Sequence, residues 1–239
     1  MTLSRKCLIC GREICDILSC SRIAREQYFE KLKQANSRWQ TKTNIAHDEL
    51  ERHLARIGVP TKILQSLRNT QLTGPLEWAR RFDSGHKEKL LLGLIGSPGS
   101  GKSVAAGWIL QETCRRYPWN SQATGMAAEP AAWIAASDLT SYSAFEHVDQ
   151  ERLRYLERIS LLVIDDCGDE ATKYGAGMLA NLVKNRHAGT RRTVLTSNLT
   201  MSGFREKYGQ EVLDRIRGDG FLPDLSAHKS RRNSQSEAR

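Results

Sequence analysis

The chain of 239 residues is 39% hydrophobic and 26% charged, which allows one globular domain and a small appendage. It contains no run of about 18 apolar residues, so a membrane-spanning helix is excluded, and its basic N-terminus lacks the apolar stretch of a secretory signal. We therefore expect a cytoplasmic protein without a membrane partner. The formal net charge of +9 favours an anionic partner such as nucleic acid, although a merely soluble surface could carry the same charge.

Four cysteines lie within residues 1–22, at the spacing C-x2-C-x4-C-x4-C. In a reducing compartment such a cluster is more typical of a metal site than of disulfides. Four thiolates can close a tetrahedral zinc site, and zinc would then supply the folding energy of a segment too short to bury a core. The spacing resembles that of the retroviral zinc knuckle, with cysteine in place of its histidine, and the alternative is four cysteines with no shared ligand. The candidate zinc ligands are Cys7, Cys10, Cys15 and Cys20.

Residues 23–60 are strongly charged and carry apolar residues at helical spacing, which predicts a helical linker. Its last apolar positions are Leu50, Leu54 and Ile57, and Gly58-Val59-Pro60 ends the helical pattern.

From residue 61 to 225 the pattern becomes α/β. Short apolar runs between longer helical segments predict four buried strands, at 90–95, 131–135, 161–164 and 193–196. Strands that alternate with helices imply a parallel sheet with right-handed crossovers. Residues 226–239 are polar and basic, and we predict a disordered tail there.

The first predicted strand runs into a glycine-rich segment that satisfies G-x-x-x-x-G-K-[ST], and a predicted helix follows it. Glycines let the backbone amides turn inward around phosphates, and the N-terminus of the helix adds a positive dipole. Lys102 would reach the β and γ phosphates of ATP, and the Ser103 hydroxyl would coordinate Mg²⁺. The alternative is a glycine turn without a ligand. The predicted ATP-binding residues are Gly96, Ser97, Pro98, Gly99, Ser100, Gly101, Lys102 and Ser103.

The third and fourth predicted strands both end in polar residues. We expect the third strand to lie beside the phosphate strand, where Asp165 would hold Mg²⁺ and Asp166 would polarise the attacking water. The fourth ends in Thr196-Ser197-Asn198, and Asn198 would orient water or sense the γ-phosphate. Such residues also occur at strand ends for turn reasons, so these roles depend on the position of both strands after a complete phosphate loop.

These motifs, in this order and followed by Asp214-Arg215-Ile216-Arg217, resemble those of the AAA+ ATPases. Within that group the chain is similar to the DnaC/DnaI replicative helicase loaders and the IstB transposition helpers. The resemblance covers roughly residues 50–218. It implies a three-layer αβα fold with a parallel sheet, and an ATPase that works as a homo-oligomer.

The resemblance also implies roles for two arginines and one carboxylate. Arg215 occupies the arginine-finger position, in which it would point into the ATP site of a neighbouring subunit, whereas the pattern alone favours a helix-surface arginine. Arg231 is the candidate for a second sensor arginine at the ATP site. Family members often carry Glu where this chain has Asp166, and the shorter carboxylate suits slow hydrolysis.

In the loaders, single-stranded DNA threads along the inner face of a helical assembly. It is contacted by the helix after the second strand and by the loop after the acidic strand. Aromatic side chains provide sequence-tolerant stacking there, and lysine pairs with phosphate. Tyr174 is favoured because it lies in a polar loop, while Phe145 fits a core position equally well. The candidate DNA contacts are Tyr142, Phe145, Thr172, Lys173 and Tyr174.

The resemblance therefore implies an ATP-dependent loader that delivers a replicative ring helicase of the DnaB type onto single-stranded DNA. Some loaders also begin with a zinc module and a helix that dock on the helicase, which favours the same use of residues 1–60 here. The main alternative is a transposition helper that binds duplex DNA and a transposase. Two further classes stay open, namely a P-loop small-molecule kinase and a non-catalytic nucleic-acid module that retains a nucleotide.

Overall fold

The computed structural model of the protein describes residues 47–68, 74–84, 89–116, 131–141, 150–170 and 172–225. From His47 onward the chain belongs to one compact unit. The cysteine cluster, residues 23–46 of the predicted linker and the basic tail lie outside the described residues.

Helices and strands alternate along most of the described chain. The helices are α1 (His47–Arg56), α2 (Thr61–Arg68), α3 (Gly74–Asp83), α4 (Lys102–Arg116), α5 (Ala136–Ser141), α6 (Gln150–Arg158), α7 (Lys173–Ala188), α8 (Met201–Tyr208) and α9 (Gln210–Asp219). The strands are β1 (Leu91–Gly96), β2 (Ala131–Ala135), β3 (Leu161–Cys167), β4 (Arg192–Ser197), β5 (Gly220–Phe221) and β6 (Asp224–Leu225).

All strand pairs in the sheet are parallel, as the sequence predicts. The strand order is β2-β3-β4-β1-β5, and β6 also pairs with β1. The expectation that the acidic strand lies beside the phosphate strand is wrong, because β4 lies between β1 and β3 and hydrogen-bonds to both. The end of β4 is therefore placed to connect the phosphate loop to the acidic residues.

Helices cover both faces of the sheet. On one face α1, α2 and α3 contact α4, which also contacts β2, β3 and β4. On the other face α5 contacts β2 and β3, α7 contacts β4, and α9 contacts β1. The apolar face of α7 supplies Leu179, Leu182 and Val183 to the core, where they meet strand residues such as Leu162 and Leu195. Burial of these side chains stabilises the stack of three layers.

The end of the predicted linker packs on the α/β unit. Leu50 and Leu54 of α1 are buried, and α1 contacts α4. After the helix, the Ile57 carbonyl accepts the Trp133 amide of β2 at 2.9 Å. Gly58 has φ of +101°, and a Cβ there would lie 2.4 Å from the Trp133 carbonyl oxygen, so only glycine fits this turn. Residues 47–60 are thus attached to the unit that carries the phosphate loop.

Within the described ranges, none of the helices has both the length and the apolar character that crossing a bilayer requires.

Candidate nucleotide-binding site

The phosphate loop connects the end of β1 to the start of α4 at the carboxyl edge of the sheet. Gly99 and Gly101 have φ of +76° and +95°, which lets the backbone turn twice within the loop. At Gly96 a Cβ would lie 2.5 Å from the Leu225 carbonyl carbon of β6, so the close approach of the two strands also requires glycine. The loop ends where α4 begins at Lys102, which places a helix N-terminus against the loop.

The Lys102 ammonium lies inside this loop and is almost completely buried. Its Nζ donates to the carbonyls of Gly96 at 2.9 Å and Ser97 at 2.8 Å, and to Oδ1 of Asn198 at 2.9 Å. Burial lowers the pKa of Lys102, while the nearby Asp166 and Asp165 carboxylates act in the opposite direction. The loop therefore holds a cation where the sequence predicts phosphate binding.

The two acidic residues lie at an irregularity in the pairing of β3 with β4. Ile164 pairs with Leu195 and Cys167 pairs with Ser197, so Asp165 and Asp166 together stand opposite Thr196. Two residues opposite one is the arrangement of a β-bulge, a feature often found beside active sites. Asp166 has φ of +54°, a conformation that aspartate tolerates better than glutamate. The local backbone thus gives a physical reason for a short carboxylate at this position.

Thr196 connects the two acidic residues through a single hydroxyl. Its Oγ1 donates to Oδ1 of Asp165 at 2.5 Å and accepts the backbone amide of Asp166 at 3.0 Å. Thr196 is fully buried, so both bonds are shielded from water. No role for Thr196 was predicted from the sequence. Its position could have indicated one, because a threonine hydroxyl one residue before a strand end can reach the neighbouring strand.

The donor set for a magnesium ion is assembled around Asp165. The Ser103 hydroxyl of α4 donates to the Asp165 carboxylate. Burial raises the pKa of Asp165, and the hydrogen bonds from Thr196 and Ser103 act against that increase. A hydroxyl and a carboxylate beside a phosphate loop are hard oxygen ligands of the kind that Mg²⁺ takes together with substrate phosphates. The residues present therefore fit Mg²⁺.

Asn198 lies between the lysine and the second acidic residue. Its Oδ1 accepts from Lys102, and its Nδ2 donates to Oδ1 of Asp166 at 3.3 Å. One amide thus contacts a group from the phosphate loop and a group from the acidic strand. The structure brings together five of the predicted site residues, which are Lys102, Ser103, Asp165, Asp166 and Asn198.

Arg215 lies elsewhere, on α9. Its Nη2 donates to Oε1 of Glu211 at 2.6 Å, and its Nη1 donates to Nδ1 of His187 at 3.2 Å. Because arginine can only donate, His187 Nδ1 must accept, and His187 Nε2 then donates to Asp219 at 2.7 Å. His187 lies in the last turn of α7, just before β4 begins, so these contacts are at the amino edge of the sheet. The phosphate loop is at the opposite, carboxyl edge.

The candidate DNA contacts are only partly within the described residues. Lys173 and Tyr174 begin α7 instead of lying in a loop, because the Thr172 side chain accepts the Gly175 amide at 3.1 Å and caps the helix. Both are exposed, Tyr174 to 59%. Tyr142, Phe145, Arg231 and the four cysteines of the predicted zinc site lie outside the described residues. Within the described ranges, no group of three or more His, Cys, Asp or Glu side chains could hold a metal ion.

In comparisons with known proteins, the chain resembles solved structures. No protein-family model matches the chain, and no curated protein matches it by sequence. A crystal structure of DnaI aligns with a TM-score of 0.54 and 21% identity, covering 73% of this chain and 94% of DnaI. The DnaC helicase loader aligns with a TM-score of 0.53 and 16% identity, covering 70% of this chain and 100% of that chain.

The replication initiator DnaA, bound to AMPPCP and single-stranded DNA, aligns with a TM-score of 0.54 and 15% identity. That alignment covers 75% of this chain and 56% of the DnaA chain. At these identities the likeness is one of fold. The protein therefore shares the fold of these structures, and in this chain a parallel sheet lies between two layers of helices and a phosphate loop follows a buried strand.

Proposed function

We propose that this protein is an ATP-dependent loader that delivers a replicative ring helicase onto single-stranded DNA. The observation that carries the proposal is the polar array at the carboxyl edge of the sheet, where Asn198 contacts both Lys102 and Asp166. That array lies in a fold that also occurs in DnaI and in the DnaC helicase loader.

The first step is the binding of ATP by the phosphate loop. Backbone amides of residues 96–103, other than Pro98, which has no N–H, would hold the phosphates together with the Lys102 ammonium. Ser103 and Asp165 would hold Mg²⁺. Bound Mg²⁺ would neutralise charge that develops on the phosphate oxygens. The Thr196 hydroxyl keeps Asp165 in place for this role.

The second step is the orientation of the attacking water. Asp166 is half-buried at the strand end, and its Oδ1 accepts from Asn198, which leaves Oδ2 as the oxygen that would face the water. It would accept a proton from water, while the Asn198 amide fixes the carboxylate relative to Lys102. Because the short side chain reaches less far than glutamate, we infer slow turnover, as a timer of assembly requires.

The third step needs a second copy of this chain. Arg215 is at the opposite edge of the sheet from its own phosphate loop, so its guanidinium would serve the ATP site of a neighbouring subunit. An arginine finger of this kind contributes about 10³–10⁵ in rate. Hydrolysis would then depend on the assembly, and ATP would act as a switch for assembly on DNA.

DNA would be contacted at the start of α7. Tyr174 presents an exposed ring and Lys173 an exposed ammonium, which suit base stacking and phosphate pairing. A DnaA structure of the same fold is bound to single-stranded DNA, which supports this class of ligand. Residues 1–46, with zinc at the four cysteines, would dock on the helicase, while residues 47–60 stay packed on the unit that carries the phosphate loop.

The test of DNA binding compares two exposed tyrosines. Tyr174→Ala should weaken binding of a labelled oligothymidylate by about 5- to 150-fold, which corresponds to about 1–3 kcal/mol per stacked base. Tyr155→Ala, at a ring that is 39% exposed on α6, is the matched control and should bind almost normally. Fluorescence anisotropy at several salt concentrations measures both, and nucleotide affinity should stay the same. Equal affinities for Tyr174→Ala and wild type would contradict the proposed DNA contact.

The test of the protein partner is capture by the full chain. A wild-type pull-down should retain a ring helicase, and a Cys7→Ser/Cys10→Ser variant should lose it together with bound zinc. Capture of a transposase instead would identify a transposition helper.

A further inference from the structure

Glu170 is a buried carboxylate that lies after the acidic strand and outside the nucleotide site. Its side chain is 0% exposed, and Lys207 Nζ lies 2.8 Å from Oε2. Oε1 accepts the Tyr208 hydroxyl at 2.5 Å and the Gly168 amide at 3.3 Å. Burial, with the neighbouring Cys167 and Glu170, raises the pKa of Tyr208, so this phenol stays protonated and remains a donor. Three different groups thus converge on one carboxylate.

Such an arrangement adds little net free energy to the packing of a loop on a helix. A buried ion pair contributes less stability than apolar side chains of similar volume, because both charges lose their hydration. Its distinctive property is that only one geometry satisfies all of its bonds. Lys207 adds to this, because its Nζ also donates to the backbone carbonyls of Gly168 and Glu170. The contacts fix the backbone of residues 168–170 against α8.

On one side this cluster is continuous with the nucleotide site. The Ser197 hydroxyl donates to the Cys167 carbonyl at 2.5 Å and accepts the Leu199 amide at 3.2 Å. A Cβ at Gly168 would lie 3.0 Å from the Leu199 side chain, so these two segments are in close contact. Asn198 stands between Ser197 and Leu199, and Asn198 contacts Lys102 and Asp166. A displacement of Asn198 would therefore move the segment that holds Glu170.

On the other side the cluster leads directly to α7. Thr172, two residues after Glu170, caps the helix whose first residues are Lys173 and Tyr174. Both side chains are exposed, so the packing of the core does not fix their position. The same turn is anchored further along by Gly175 and Ala176, which are buried. The Thr172 cap and the Glu170 cluster lie at its N-terminal end, beside Lys173 and Tyr174.

We propose that Glu170, held by Lys207 and Tyr208, is a positioning residue that transmits the state of the nucleotide site to the first turn of α7. The use of this turn for DNA rests on the proposed function. The transmission itself rests on the contacts of Glu170, Ser197 and Thr172.

Hydrogen exchange of the full chain tests the transmission without DNA. Amides of residues 168–176 should exchange more slowly with a non-hydrolysable ATP analogue than with ADP in the wild type. Glu170→Gln removes the charge that Lys207 and Tyr208 share, and Tyr208→Phe removes one hydrogen bond with little change of shape. Both should lose most of the difference between the two nucleotides, while nucleotide affinity is retained. Tyr208→Phe keeps the test available if Glu170→Gln does not fold.

Glu157→Gln is the matched control, because the Glu157 carboxylate also bonds to α7, through the Asn185 amide at 2.8 Å, but at the opposite end of the helix. This variant should show the wild-type difference. The proposal is overturned if wild type shows no difference in this segment, or if folded Glu170→Gln and Tyr208→Phe keep it.

DNA binding separates this inference from the proposed function. In the wild type, oligothymidylate should bind about fivefold or more tightly with the ATP analogue than with ADP, and this ratio should approach one in Glu170→Gln. If the exchange difference depends on Glu170 but no DNA binds, the transmission stands and the proposed function fails. If DNA binds with the same nucleotide dependence in wild type and Glu170→Gln, the transmission does not control DNA and the inference is wrong.

Discussion

Two charged networks lie at opposite edges of the same sheet, and they differ in how deeply they are shielded. At the carboxyl edge Lys102 and Asp165 are buried and joined through neighbouring hydroxyls and amides. At the amino edge Lys184, Glu211 and Arg215 are partly exposed and joined by ion pairs on the surface of α7 and α9. The hydrogen bonds from Lys184 and Arg215 lower the pKa of Glu211, which therefore stays ionised as their partner.

The difference indicates what each network can do. Groups in the buried array are held in one geometry, as catalysis requires, because each bond depends on the others. The Arg215 side chain is 32% exposed, so water and salt screen its ion pair with Glu211, whereas its Nε is buried and has no hydrogen-bond partner in the part of the chain that the structure describes. A guanidinium in such a place can exchange its contacts for a stronger anion. This contrast supports our proposal that the carboxyl edge forms one half of an ATP site and that the amino edge would supply the second half to another subunit.

The largest expected effect is at Arg215. Arg215→Ala should lower ATP turnover of the assembled protein by about 10³–10⁵-fold, because the finger stabilises charge in the transition state. Arg217→Ala is the control, since Arg217 is 54% exposed and its ion pair with Asp214 spans 3.8 Å. Phosphate release assays measure both variants. Comparable losses of ATP turnover in Arg215→Ala and Arg217→Ala, or no loss in Arg215→Ala, would contradict the proposed role of Arg215 at the amino edge.

The next effect is at the bulge. Asp166→Asn should lower turnover by about 10²–10⁴-fold through loss of the general base, with nucleotide affinity retained. Asparagine tolerates the left-handed backbone of this residue and can still accept from Asn198, so the geometry is preserved. Asp165→Asn should instead weaken Mg²⁺-dependent nucleotide binding. Titration of a fluorescent ATP analogue with and without Mg²⁺ distinguishes the two, and identical behaviour would refute the separate roles.

The roles of Asp165 and Asp166 can be predicted from the sequence, but the geometry that places these two residues cannot. The apolar runs and the glycine loop predicted β1, β3, β4 and the phosphate loop because buried parallel strands leave a strong signal in hydrophobic residues. Strand order leaves no such signal, so the position of β4 between β1 and β3 was missed.

Contacts that join distant segments were missed for the same reason. The bulge at Asp165–Asp166 depends on pairing with Thr196, a residue 30 positions further along the chain. Glu170 lies in a polar stretch of the sequence, where an exposed side chain is the usual expectation. Only its contacts with α8 show that it is buried. Thr172 as a helix cap was within reach of sequence reasoning, since threonine before a helix is a common start signal.

A smaller effect is expected when two buried threonines of β4 are replaced one at a time. Thr196→Val and Thr193→Val should each lower the free energy of unfolding by about 1–3 kcal/mol, because each leaves buried polar partners without a bond. Thr193 accepts from the buried Arg186, whereas Thr196 serves the acidic residues. Urea unfolding should therefore affect both variants, and only Thr196→Val should also weaken Mg²⁺-dependent nucleotide binding. If Thr193→Val weakens it equally, the role of Thr196 is merely structural.

The smallest effect is expected at Lys184. Lys184→Met removes an exposed ion pair with Glu211, and such pairs contribute little in water. Urea midpoint and ATP turnover should both stay near wild type, because Arg215 keeps its bonds to Glu211 and His187. A marked loss of turnover would show that the amino-edge network is organised more tightly than its exposure indicates.

The most direct test of the two half sites is a mixing experiment. Lys102→Ala and Arg215→Ala proteins are each assayed alone and then together, with single-stranded DNA and Mg²⁺·ATP present. Sites that carry an intact Lys102 from one chain and an intact Arg215 from another form only in the mixture. The account predicts that ATP turnover reappears there. Turnover in the mixture no greater than the sum of the two separate variants would contradict an ATP site shared between subunits.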